Sequence, residues 1–559
     1  MNKRSCREGA PLPFAVRNGR LVAAIAAAAA LLASGGAAAV AIDTGNSDVT
    51  VSWDNTVKYS AAARVRSADG KVAGDPASLQ VNINDGDLNF GKGLISNRLD
   101  LLSELEFRYK KDFGFRMSGA AWYDDVYHRR NDNPGTQGVN SQSVATDRFT
   151  HATEQLHGQK AEFLDMFGYG NFTPWDMNLN VKAGRYTQLY GESLFFGSNG
   201  IAGAQTPLDL ARALSVPNSQ FKEVARPVGQ IGGNLQLSST VSIGAYYQLE
   251  WRKSRLPAAG SYFSFADFVD AGGESFNLGA MAPGLILGRG KDLNARDSGQ
   301  GGMQVKYKSG DAEYGFYAAQ FHDKMPQFYV RPGVNPRGAF GGDYVQVFGE
   351  NIRTVGASFS TLVGETNVAG ELSFRDNMPL VAAGNVVVVG ADANGKDRNA
   401  YATGKTMHLN LSAISVMGAS ALWEGASFVG EFAFNRRLAI SDNPGALDPN
   451  ATKDASAIQF VFQPEYFQVL PGLDLQVPIG LSYGLSGRSS VNGALFPSEH
   501  GGNVSIGVKG DYQKTWQTGL NFTHYYGPSG AVITGAGALS YANFHGDRDF
   551  VSLSVQRTF

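Results

Sequence analysis

Few side chains in this 559-residue chain are spaced for chemistry. Its eight histidines, His128, His151, His157, His322, His408, His500, His524 and His545, are scattered. None forms a His-x-Ser pair or a His-x-x-x-His spacing, so neither a Ser–His nucleophile nor a two-histidine metal site is spelled out. One Glu-x-x-His occurs, Glu154-Gln155-Leu156-His157, with His151 just upstream. It falls in a polar link and has no second copy to complete a site, so it reads as chance. The run Gly299-Gln300-Gly301-Gly302 leads from a loop into a strand rather than a helix, a poor cradle for phosphate. No catalytic, metal or cofactor residue is assigned, and the chain reads as a non-enzyme without a cofactor.

The remaining candidates are charges and rings. Glu104, Glu106, Arg108, Arg116, Glu371, Arg375 and Glu431 fall on the polar faces of alternating segments. Such charges orient a solute headgroup or exclude ions; alternatively, they only solvate and cross-link a wall. Glu192, Phe195, Phe196, Asp209 and Arg212 belong to an irregular stretch between two such segments. These twelve residues are the candidate lumen and constriction set.

The elements that would carry them are strands. Val49, Val51, Trp53, Val57, Tyr59, Ala61, Ala63 and Val65 alternate with Thr50, Ser52, Asp54, Thr56, Lys58, Ser60, Arg64 and Arg66. That period of two is sustained beyond the length of an ordinary globular strand. Paired segments follow, tightly linked within each pair and loosely between pairs. They are Arg98–Tyr109 with Phe113–Asp124, 161–172 with 177–189, 229–237 with 241–252, 300–308 with 312–322, and 352–362 with 367–376. Then come 405–417 with 427–437, 456–463 with 473–484 through a link 464–472, and 503–513 with 516–526. Gly, Pro, Asp, Asn, Ser and Thr mark most turns. The stretch 549–559 has Val551, Leu553, Val555 and Phe559 on one face and Ser552, Ser554, Gln556 and Thr558 on the other.

One opening strand, eight pairs and one closing strand predict an all-β fold: an antiparallel outer-membrane barrel of about 18 strands. Apolar side chains would meet outer-membrane lipid and polar ones a watery lumen. Tight turns would be periplasmic and long links extracellular, and Phe559 would engage the barrel-assembly machinery. A β-propeller would show a recurring blade-length motif, and none is found.

Composition agrees. The chain has 69 Gly, 34 Phe and 22 Tyr. Its mean hydropathy of -0.19 is too polar for a helical membrane protein, as expected when every second residue faces water. A net charge of -2 gives no basic field for nucleic acid. Lys3, Arg4, Arg7, Arg17 and Arg20 precede an apolar run 21–33 and small residues up to Ala41, the pattern of a removed signal peptide over 1–41. The only cysteine, Cys6, lies within it. Residues 42–559 then form one barrel domain.

Two links are unusual. Residues 191–228 lose alternation, carry Phe195 and Phe196, and contain a helical piece from Pro207 to Leu214. Folded inward, the stretch would constrict the lumen; alternatively, it caps the mouth. Residues 256–299 carry Tyr262, Phe263, Phe265 and Phe268, which suggests a greasy vestibule or rings packed on each other.

Seven ordered motifs resemble a proteobacterial family called domain of unknown function 1302. They are Gly93-Leu94-Ile95-Ser96-Asn97-Arg98-Leu99-Asp100-Leu101-Leu102-Ser103-Glu104-Leu105, Ser118-Gly119-Ala120-Ala121-Trp122-Tyr123-Asp124, Gly191-Glu192-Ser193, Tyr247-Gln248-Leu249-Glu250-Trp251, Ala295-Arg296-Asp297-Ser298-Gly299-Gln300, Gly370-Glu371-Leu372-Ser373-Phe374-Arg375 and Asp547-Arg548-Asp549-Phe550-Val551-Ser552-Leu553-Ser554. The resemblance implies an outer-membrane location and supplies no catalytic residues. It also implies association with a periplasmic lipid-binding-like protein, an inner-membrane exporter of the resistance-nodulation-division type, or breakdown of steroids and aromatic hydrocarbons. The expected function is a channel for a hydrophobic or amphipathic small molecule; the alternatives are a nonspecific polar porin and a non-transporting structural barrel. Where the family commonly has an Ile-Asn-Pro-Val-Asp-like run, this chain has Ala204-Gln205-Thr206-Pro207-Leu208-Asp209.

Overall fold

The computed structural model describes residues 40–135, 142–279, 284–333, 341–390 and 392–559. The expected signal peptide, Cys6 included, lies outside the described residues except for its last two positions.

Alternation of small polar and large apolar side chains builds one antiparallel sheet that closes on itself. A short strand, Val40–Ile42, pairs along Val51–Trp53, and the first nine strands that span the wall are β1 (Val49–Arg64), β2 (Gly93–Tyr109), β3 (Phe113–Asp124), β4 (Gln159–Phe172), β5 (Asn178–Tyr186), β6 (Val228–Gln236), β7 (Val241–Gln248), β8 (Gln300–Ser309) and β9 (Ala312–Phe321). The rest are β10 (Ile352–Val363), β11 (Thr366–Pro379), β12 (Thr403–Met417), β13 (Gly425–Asp442), β14 (Asp454–Leu470), β15 (Leu473–Gln476, continued by Ile479–Ser486), β16 (Gly502–Tyr512), β17 (Trp516–Tyr526) and β18 (Phe550–Thr558). Neighbours in sequence pair in order, and β18 returns to β1 from Thr56–Thr558 to Arg64–Phe550. Closure satisfies the edge groups that an open sheet would leave bare in lipid.

The outward residues form an apolar band. Phe163 (60% exposed), Phe316 (57%), Val355 (56%) and Met303 (54%) belong to it. A surface this apolar all round a barrel is stable only against lipid. Inward residues are mostly polar or small, with Leu102, Trp122, Leu164, Tyr246 and Tyr317 as buried exceptions. The tight turns gather at one end, and at two of them, Gly310 (φ 60) and Gly364 (φ 63), two-residue hairpins need the left-handed conformation.

Several boundaries shift from expectation by a few residues, the strand expected over 241–252 ending at Gln248 among them, and two shifts have a clear structural cause. The segment 177–189 stops as a strand at Tyr186, because the chain then leaves the wall and enters the lumen. Pro464 lies inside β14 rather than in a link. It has no N–H to donate, and the neighbouring β15 is interrupted there at Val477–Pro478, so no ladder bond is lost; Pro464 still accepts from the Val477 N–H.

The long links at the other end fold together into a cap. A separate five-stranded sheet joins Ser275–Asn277, Ile286–Arg289, Gln327–Pro332, Gly342–Val347 and Val386–Val388. Its core includes Leu79, Phe268, Phe276, Phe328, Tyr344 and Ile533, drawn from separate links. The rings of 256–299 are therefore packed, not a vestibule. Tyr262 and Phe263 sit with Phe90, Tyr127 and Phe149, and Phe268 sits edge-on to Phe276 and Phe328.

Candidate functional site

After Tyr186 the chain crosses the barrel twice before re-entering the wall at Val228. Polar side chains on the inner faces of β11, β12 and β13 hold the first half. One oxygen of Glu431 accepts from the backbone N–H groups of Leu194 (3.2 Å), Phe195 (2.5 Å) and Phe196 (2.8 Å). Its other oxygen accepts from the Asn410 amide at 2.6 Å. Glu371 accepts from the N–H groups of Glu192 (2.7 Å) and Ile201 (2.8 Å). Arg375 donates to the carbonyls of Ser198 (3.0 Å), Asn199 (3.0 Å) and Gly200 (2.8 Å). The Asn199 amide donates to Asn410 (2.9 Å) and to the Phe434 carbonyl (3.1 Å). Successive N–H groups converging on one carboxylate form an anion nest.

β1, β2 and β18, across the ring from β11–β13, hold the second half. It contains α1 (Leu210–Ser215), N-capped by Asp209, and a short helical turn, Phe221–Val224, that the sequence reading missed. Arg212 lies 3.1 Å from Asp100 and 2.5 Å from Glu223, and Asp100 is paired with Arg98 at 2.9 Å. Lys58 reaches Glu223 at 3.6 Å. Asn218 donates to Ser554 of β18 at 2.8 Å. Asp209 pairs with Arg255, which also holds Glu162 of β4 at 2.7 Å. Burial lowers charged-group stability here, and the ion pairs offset it. Arg212, buried against Asp100 and Glu223, ends above the usual guanidinium value.

The candidate residues therefore split into two groups. Glu371, Arg375, Glu431, Asp209 and Arg212 spend their charge on fixing the segment and are almost fully buried. Phe196 packs against Ala433, Ala455, Ala457 and Phe496, with Phe195 beside it, so these rings face the wall and not a passage. Glu192 lies 3.8 Å from Lys306. The other group stays accessible nearer the turns. Arg116 pairs with Glu104 at 2.6 Å, Lys222 of the segment also reaches Glu104, and Arg108 chelates Glu106 at 2.9 and 3.0 Å. The Arg108 side chain is 55% exposed. Three apolar side chains of the segment are open: Phe221 (51%), next to the Lys222 that reaches Glu104, Leu214 (40%), and Leu194 (39%) in the half held by β13.

Sequence reasoning missed Lys58, Asp100, Asn199, Asn218, Glu223 and Arg255. Asn199 carries no local signal, because its partners lie more than two hundred residues away. The Glu154–His157 motif is dispersed: Glu154 bonds His128 at 2.7 Å, while His157 accepts from the Ala258 N–H at 3.1 Å.

A closed antiparallel barrel with an apolar outer belt and a polar inner face defines a transmembrane barrel of the outer-membrane type. The chain belongs to the family described as protein of unknown function DUF1302, which matches residues 20–559 and agrees with the motifs quoted above. No curated protein matches it. Similar solved structures include OccK9 (OpdG) of Pseudomonas aeruginosa, 11% identical, covering 91% of this chain and 98% of that one with a TM-score of 0.40. OpdK of Pseudomonas aeruginosa, with vanillate, is 11% identical over 91% and 98% of the two chains, with a TM-score of 0.39. The outer membrane channel DcaP of Acinetobacter baumannii is 10% identical over 92% and 98%, with a TM-score of 0.36. At these scores the barrel rests on this chain's own strand pairing and not on the likeness.

Proposed function

We propose that this protein is an outer-membrane channel of a Gram-negative bacterium for a small amphipathic molecule of the lipid, steroid or aromatic-hydrocarbon class. One observation carries the reading: the segment pinned across the lumen turns most of its charges into the wall and leaves Phe221, next to the Lys222 that reaches Glu104, open near the Glu104–Arg116 pair, with Leu214 and Leu194 open elsewhere along it. An apolar surface next to charges suits a molecule with an apolar body and a polar end better than a hydrated ion or a sugar. A fixed segment across the lumen also disfavours bulk polar flux. The periplasmic lipid-binding-like protein and inner-membrane exporter implied by the family resemblance would meet the turn end. The test is flux into phosphatidylcholine proteoliposomes of radiolabelled cholate, a steroid carboxylate, and of glucose. Cholate flux above protein-free vesicles with little glucose entry is expected. Free entry of glucose makes the protein a nonspecific porin, and entry of neither makes it a structural barrel.

A further inference from the structure

The wall has a one-sided stretch. β4 pairs with β3 along most of its length, but its partner on the other side, β5, reaches only from Phe172–Leu179 to Met166–Arg185. Beyond Tyr186 the chain has turned into the lumen, so residues 160–165 face no strand on that side among the described residues. Phe163, nine positions from the turn-end residue Phe172, marks the middle of this stretch. At about 3.3 Å per residue and a tilt of about 40°, it stands roughly 23 Å above that end, in the half of the bilayer nearer the cap. Its ring is 60% exposed on the outer surface.

Behind the stretch lies a cluster of charges in which two guanidinium groups, Arg226 and Arg252, lack a close acidic partner. Arg255 is matched by Asp209 and Glu162, Arg185 by Glu250, and Lys253 by Asp270 and Asp292. Arg252 approaches Glu250 only at 3.9 Å. Arg226 has no ion pair among the described residues; its guanidinium donates to the Lys253 carbonyl. It lies close enough to Glu162 of β4, and to Arg252 and Arg255, to feel their charges. Burial, with those two arginines, holds Arg226 down to about 9.

We propose that the gap between β4 and the β5–β6 edge is a lateral portal through which an amphiphile with a single anionic headgroup passes between the bilayer and the lumen, with Arg226 and Arg252 binding the headgroup. This inference rests on the channel reading above and adds the charge of the solute and its route. Guanidinium groups held short of acidic partners bind a carboxylate by charge-assisted hydrogen bonds. A gap at bilayer depth lets the apolar body stay in lipid until the head is bound, so the body never crosses the packed cap. The one-sided stretch is tolerable in lipid only where it is covered by protein side chains or borders a watery lumen, and the Arg255–Glu162 pair spans it from inside.

The experiment uses the full chain in phosphatidylcholine vesicles, with cholate and its uncharged methyl ester as paired probes. R226Q with R252Q lowers cholate flux about ten-fold and leaves ester flux within two-fold, while R226K with R252K retains most cholate flux. Heat-modifiability confirms that each variant is folded. A diazirine-bearing cholate marks peptides 159–166 and 224–228 over the outward belt around Phe115. If wild-type flux is robust but the glutamine variant matches it, or adducts spread evenly around the belt, the portal is wrong while the channel stands. If wild-type protein carries neither probe, the channel reading itself fails.

Discussion

Replacing Glu431 isolates the pin that holds the lumen segment. Its side chain accepts three backbone N–H groups, from Leu194, Phe195 and Phe196, and one side-chain amide from Asn410. Hydrogen bonds to a charged group contribute about 1.5–3 kcal/mol each in net terms, but bonds sharing one oxygen do not add, and lumen water replaces part of what is lost. Glu431→Ala should therefore free this end of the segment by about 3 kcal/mol. At 1.4 kcal/mol per tenfold, local opening becomes roughly a hundred-fold more frequent. Glu431→Gln keeps the shape and one carbonyl acceptor, so it should lose only about half as much. The barrel ladders are untouched, so both variants should remain heat-modifiable. Hydrogen exchange read by mass spectrometry on peptides covering 192–201 measures the effect directly. Exchange in that peptide should rise about a hundred-fold in the alanine variant, with no change in peptides from β1 or β16. Unaltered exchange at 192–201 would refute the claim that this carboxylate pins the segment.

The cap should carry a histidine-dependent acid lability. Burial, reinforced by Arg98 and Arg255, holds His157 down to about 3, and its neutral ring accepts from the Ala258 N–H. A folded-state value below the unfolded one of about 6.5 means the unfolded chain binds the proton first. That stability is present above pH 6.5 and is lost as pH falls toward 3, amounting to about 2–3 kcal/mol at pH 4.5. Asp547, pushed up to about 6 by burial and then by Asp87, gives the opposite slope, so the readout is the difference between wild type and H157Q in cap proteolysis at pH 7 and pH 4.5. H157Q should lose less stability on acidification, and parallel slopes would contradict the assignment. Deleting Phe559 removes the reciprocal main-chain bonds with Asn55 (2.9 and 3.1 Å) and should reduce heat-modifiable barrel in outer-membrane fractions; an unchanged yield would show that closure does not need it. Protease or tag labelling on intact cells should reach links 125–158, 380–402 and 487–501 and spare the turns at 110–112 and 310–311. Labelling of those turns would invert the topology.

The barrel was legible because lipid and water impose opposite demands on successive residues. Val49 to Arg64 shows this period without help from any partner. The cap sheet was not legible for the converse reason. Gly342–Val347 is buried along its whole length, so both faces are covered and no alternation marks it. Glu371 and Glu431 were recognised as inward charges, yet their role was not, because their partners are main-chain N–H groups that have no signature in sequence. Phe195 and Phe196 carried a legible apolar signal, but the small residues Ala433, Ala455 and Ala457 that accept them lie on strands far along the chain.

Single-channel conductance in planar bilayers, compared between the wild-type chain and one lacking residues 194–226, tests the central claim most directly. A segment pinned across the lumen requires low or unresolved conductance in the wild type and large, steady steps in the deletion, with both proteins equally heat-modifiable. A wild type that already shows large, weakly selective steps, unchanged by the deletion, would contradict it.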